Sequence, residues 1–73
     1  MIKFENIHGE FELEVGTKYN LSFVDVESGD TFPIFDAEVI GETKDDVLYK
    51  KFGTIEKIEK DVIVHQEFNT DYY

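Results

Sequence analysis

Gly9-Glu10-Phe11-Glu12-Leu13-Glu14-Val15-Gly16 is the stretch that decides the fold class. Apolar Phe11, Leu13 and Val15 alternate with Glu10, Glu12 and Glu14. A period of two describes a strand with one face buried and the other, here acidic, in water. The two glycines bound it. The same period recurs on both sides. Tyr19, Leu21 and Phe23 form a second run, after which Val24 and Val26 fall on the other parity, a shift that a bulge would absorb. Glu27-Ser28-Gly29-Asp30 is turn chemistry, so Lys18–Glu27 and Thr31–Glu42 read as a hairpin. Pro33 cannot donate a ladder hydrogen bond and belongs at an edge or a strand start. Phe35, Ala37 and Val39 then share a face.

Further on, Gly41 to Asp46 reads as a polar turn and Val47-Leu48-Tyr49 as a short strand. Phe52-Gly53-Thr54 reads as a tight corner. Ile55 and Ile58, three apart, suit a helical turn or a bent strand. Val62, Val64, Gln66 and Phe68 read as a last strand, with Lys60-Asp61 in the turn before it. No segment holds the spacing of a long helix. The expectation is an all-β, mainly antiparallel fold, a small SH3-like or related five- to six-stranded barrel or sheet. It forms one domain over residues 1–73, with a core of Phe11, Leu13, Val15, Leu21, Phe23, Val39, Val62 and Val64. The ends, Met1–Ile7 and Asn69–Tyr73, are expected to fray. The closing Tyr72-Tyr73 pair reads as a loose end, or alternatively as a docking tail.

The chain carries 17 acidic residues against seven lysines and no arginine, a formal charge of −10, with no cysteine. Ten of the acids and only two of the lysines fall in residues 1–43. Such a field repels nucleic acid and anionic membrane and attracts basic surfaces. Disulfides and thiolate zinc sites are excluded. Seven Phe and four Tyr suit a globular chain, although a core of this size supplies only ~3–5 kcal/mol of net stability. No apolar run approaches the ~20 residues of a membrane span. Charge and Asn interrupt Ile2, Phe4 and Ile7, so no signal peptide is expected. Localisation is expected to be cytoplasmic.

Catalytic chemistry finds no foothold. His8, Glu10, Glu12 and Glu14 at spacing two would put an imidazole and three carboxylates on one side of a strand. Yet Cα positions two apart on a strand lie ~6.6–6.8 Å apart, and zinc ligands must converge to ~2.0–2.2 Å. A solvated face accounts for them better than a metal. Asp25-x-Glu27-x-Gly29-Asp30 departs from a calcium loop, with Asp30 where glycine is required and Asp36 where the final glutamate belongs. Ser22 and Ser28 lack a G-x-S-x-G setting, and no glycine loop cradles a phosphate. A non-enzyme without metal or cofactor is expected. The acids Glu10, Glu12, Glu14, Asp25, Glu27, Asp30, Asp36 and Glu38 are the candidate partner-binding residues. A row of glutamates at ~6.7 Å along one strand has about half the charge density of one DNA strand. Acidity that serves only solubility is the competing account.

The length, the lack of cysteine, the charge of −10 and the acidic strand Gly9–Gly16 resemble small phage-encoded inhibitors, among them anti-CRISPR and other DNA-mimic counter-defence proteins. The resemblance covers composition and layout, and no residue role is carried over. It implies a bacterial host cytoplasm and, as partner, the basic surface of a nucleic-acid enzyme such as a CRISPR nuclease. Gly53–Val64 is similar to the closing hairpin of SH3-like and Sm-like barrels. Two other functions suit the sequence: a structural or adaptor module docking through a sheet edge or aromatic tail, and a small-ligand binder with a pocket among Tyr19, Phe32, Phe35 and Tyr49.

Overall fold

The computed structural model describes residues 1–69. Among them are seven strands and one short 3-10 turn. The strands are β1 (Ile2–Asn6), β2 (Gly9–Leu13), β3 (Lys18–Val24), β4 (Thr31–Glu42), β5 (Asp46–Lys51), β6 (Thr54–Glu59) and β7 (Ile63–Phe68), with the 3-10 turn at Lys60–Val62 before β7. The fold is all-β and every pairing is antiparallel. There are two sheets, a β1-β2 hairpin and a five-stranded sheet in the order β6-β5-β4-β3-β7.

The expected β3–β4 hairpin forms. Its turn is held by Asp25, whose Oδ1 accepts the Glu27 N–H at 2.9 Å and whose carbonyl accepts the Gly29 N–H at 2.7 Å. Pro33 lies near the start of β4, on the stretch that β5 does not reach, so its missing N–H costs no ladder bond. The corner at Phe52-Gly53 is a two-residue hairpin turn with φ of 51° and 79°. Ile55 and Ile58 belong to a strand rather than a helical turn. Gly53–Val64 is not a closing hairpin, because β6 and β7 lie at opposite edges of the sheet, joined through the 3-10 turn. The sheet is therefore not closed into a barrel.

Bulges explain where inward-facing residues depart from strict alternation. Tyr19 pairs with Ala37 and Leu21 with Ile34, so β4 carries one extra residue there, and Asp36 takes φ 59°. The Asn20 side chain accepts the Asp36 N–H at 3.0 Å and stabilises the kink. Ile34 turns inward in place of Phe35, which is exposed, while Ala37 and Val39 are fully buried. A second bulge falls at Ile40. Two bulges in one 12-residue strand bend it twice and curl the sheet around the core. A third lies in β7, where Ser22 pairs with His65 but Phe23 with Ile63. Val64 is the extra residue, Ile63 is fully buried, and Val62 sits in the 3-10 turn. The phase shift expected after Phe23 does not occur, because β3 ends at Val24 and Val26 is exposed in the β3–β4 turn.

The core joins Ile2, Phe11 and Leu13 of the hairpin to Tyr19, Leu21, Ile34, Ala37, Val39, Val47, Tyr49, Ile58 and Ile63 of the sheet. Phe23 and Val62 pack at its margin. Val15 does not join: β2 ends at Leu13, the chain turns at Gly16 with φ 93°, and Val15 is half exposed. The start of the chain is likewise a paired strand with Ile2 buried, not a frayed end.

Side chains fasten the hairpin to the sheet on both flanks. The Asn6 amide donates to the carbonyls of Lys60 and Ile63 at 2.7 and 2.9 Å. Gln66 meets the β2 backbone with both amide atoms, donating to the Glu12 carbonyl at 2.7 Å and accepting the Glu12 N–H at 3.2 Å. The buried Tyr19 hydroxyl accepts the Glu14 N–H at 2.8 Å. Among the described residues no helix is long and apolar enough to cross a membrane.

Candidate functional site: an acidic face and an acid-rimmed groove

The eight candidate acids fall into three places. Glu10 and Glu12 lie on the exposed face of β2, with Glu14 just beyond its end. Glu5 of β1 stands directly across from Glu10, an opposition of like charges that sequence spacing did not reveal. Lys3 stands across from Glu12 and approaches it at 4.0 Å. His8 is in the turn before β2, so it does not share this face.

Asp25, Glu27 and Asp30 occupy the β3–β4 turn. Asp36 and Glu38 lie on β4 beside lysines. Lys18 approaches Asp36 at 3.8 Å, and Glu38 is flanked in register by Lys18 and Lys50. The continuous acidic row is thus confined to β2 and its neighbour Glu5, while the β4 acids are partly offset.

A groove of about 770 Å³ lies elsewhere, with an apolar floor of Phe23, Ile34, Tyr49, Ile58 and Val62. No residue of β1 or β2 lines it. Its rim carries Asp25, Asp45, Asp46, Glu59 and Asp61, against the single cation Lys57. The sheet's curl positions this set, bringing the β3–β4 turn, the β4–β5 turn, the end of β6 and the 3-10 turn to one opening. Lys60, beside it, is already used. Its Nζ pairs with Glu42 at 2.6 Å and donates to the Thr43 carbonyl at 2.9 Å, tying the β4–β5 turn to the 3-10 turn. Asp46 accepts the Thr43 hydroxyl at 3.1 Å. Asp45, Glu59 and Asp61 make no ion pair within the described residues. No three His, Cys, Asp or Glu side chains among the described residues converge as metal ligands would.

Of the rim acids only Asp25 stood out in the sequence. Asp45, Asp46, Glu59 and Asp61 come from the half of the chain where five lysines dilute the charge. Nothing short of the fold brings them together. Of the four aromatics expected to share a pocket, one lines this groove: Tyr49 does, but Tyr19, Phe32 and Phe35 do not, and Phe32 packs on Phe23 with ring centroids 5.8 Å apart. Tyr72 and Tyr73 lie outside the described residues.

Tyr49 is the one residue of the floor with a perturbed titration. Burial raises its pKa, and the neighbouring Glu56 carboxylate raises it further by repelling the phenolate and accepting the hydroxyl proton at 3.4 Å. A folded-state pKa above the unfolded value of ~10 means that the associated stability is complete below that value. It is lost as pH climbs through the folded-state pKa. Tyrosinate absorbance, taken as the difference between wild type and Tyr49→Phe, should therefore place Tyr49 above the ordinary tyrosine range. A midpoint at or below ~10 would contradict the burial of this hydroxyl.

An acidic outer face on β2 and an apolar groove with a carboxylate rim are both suited to holding a cationic surface. No protein-family model, curated protein or solved structure matches the chain.

Proposed function

We propose that the chain is a non-catalytic binding protein that occupies a basic surface of a partner protein. The supporting observation is how its charge is displayed. No charged residue is buried among those described. Among the described residues three lysine–carboxylate pairs come within 4.0 Å, in a chain with 17 acidic residues. Most of the negative field is therefore uncompensated and faces outward, where it speeds encounter with a basic partner and disfavours nucleic acid. In its narrower form the partner's basic surface is one that holds nucleic acid, and an inhibitor of phage origin would act by occupying it.

The test is capture from a bacterial lysate, with and without nuclease, followed by salt titration of the captured complex. The expected partner is basic, remains after nuclease, and is released steeply as the screening length shrinks towards ~8 Å at physiological ionic strength. A neutral or acidic partner whose complex is indifferent to salt would overturn the proposal.

A further inference from the structure

Phe52 is 89% exposed at the tip of the β5–β6 hairpin and holds a left-handed φ of 51°. A bulky side chain in that region is unfavourable, and Asn is the residue such a turn prefers before Gly. Within the hairpin the ring meets the Lys51 ammonium, whose Nζ lies 5.5 Å from its centroid, a contact worth only ~0.5–1 kcal/mol at an exposed site. The ring also extends the groove. A second concavity of about 390 Å³ is lined by Lys51, Phe52, Thr54 and Glu56, and it shares Ile34 and Tyr49 with the first. The two adjoin at Ile34 and Tyr49 and together make an open trough, with an aromatic lip beside Lys51 at one end and unpaired carboxylates at the other.

This geometry discriminates among occupants. An open trough in which the buried Tyr49 hydroxyl is already bonded to Glu56 offers little to orient a small ligand. The carboxylate rim repels phosphate and other anions. Apolar floor, aromatic anchor and acidic rim together complement a chain that carries apolar and cationic side chains side by side.

We propose that the trough docks an extended, cationic and amphipathic peptide segment of the partner. An aliphatic or aromatic side chain would rest on Ile34 and Tyr49 beside Phe52, with Lys or Arg side chains against Asp45, Glu59 and Asp61. This rests on the reading of the chain as a binder of basic proteins and moves the main contact from β2 to the trough.

Two fluorescein-labelled synthetic peptides of equal length and charge serve as probes, one alternating Lys and Leu, the other alternating Lys and Ser. The Lys–Leu peptide is expected to bind at least about tenfold more tightly and to shift the amide resonances of Ile34, Tyr49 and Ile58. Phe52→Asn should raise the melting temperature, because it relieves the turn, yet weaken the Lys–Leu peptide by about tenfold. A substitution that stabilises the fold and loses binding cannot be acting through misfolding. Asp45→Lys with Asp61→Lys should weaken both peptides more than Glu10→Lys with Glu12→Lys, which changes net charge equally. Equal affinity for the two peptides, or resonance shifts confined to β2, would overturn the trough and leave the charge-based function standing. Failure of both peptides to bind at low salt would overturn both.

Discussion

Leu13→Ala should leave most of the protein unfolded. Leu13 is fully buried and belongs to the cluster through which the β1–β2 hairpin packs on the five-stranded sheet. Truncating a packed leucine costs ~2–5 kcal/mol, the spread depending on how far the surroundings collapse. A domain this small holds only ~3–5 kcal/mol, so the loss takes most of the margin. The hairpin also has little else to hold it. It adds no strand to the larger sheet and is attached by three buried side chains and a few side-chain hydrogen bonds. Circular dichroism melts and urea titration would measure the effect. A variant melting within a few degrees of wild type would show that the hairpin does not pack as described.

Asn6→Asp should be nearly as damaging, with a pH dependence that identifies the cause. The Asn6 amide nitrogen supplies two hydrogen bonds to the Lys60 and Ile63 carbonyls. A carboxylate of the same shape keeps the bond accepted from the His8 N–H at 2.7 Å but aims negative charge at two carbonyl oxygens. The Lys60 carbonyl keeps the Ile63 N–H, so the loss is that of two donated hydrogen bonds, ~0.5–1.5 kcal/mol each, before the added repulsion. The folded state then favours the protonated form of the new carboxyl, raising its pKa above that of the unfolded chain. Destabilisation should be greatest at neutral pH and partly relieved as pH falls and the carboxyl regains a proton to donate. A penalty that does not change between neutral and mildly acid pH would show that the damage is not electrostatic.

The parts of this fold that could be read in the sequence are those where local chemistry and tertiary structure agree. Phe11 and Leu13 alternate with exposed glutamates because β2 has one buried face. The β3–β4 turn follows from Asp25, Ser28 and Gly29, whose hydrogen bonds and backbone angle are local properties. Inward-facing residues were misassigned wherever a bulge intervened. Ile34 displaces Phe35, and Ile63 displaces Val64, because one extra residue reverses which side of the strand faces the core. A bulge is fixed by a partner strand distant in sequence, and the Asn20 side chain that supports one of them gives no pattern of its own. The acidic β2 face was readable for the same reason as its buried face. The groove was not, because its rim is assembled from four separate connections and strand ends.

The two flanking clasps, Asn6 on Lys60 and Gln66 on Glu12, each join positions 54 residues apart. Between them β3 to β6 pair with immediate neighbours, contacts that need only short loops to close. Synthesis from the N-terminus therefore makes the hairpin first and its attachment points last. A chain stopped before Gln66 holds the complete β3–β6 meander, yet leaves Ile2, Phe11 and Leu13 without their full seat. Exposed apolar surface of that kind promotes aggregation of incomplete chains, so the order of manufacture makes β7 the condition on which the β1–β2 hairpin can be buried.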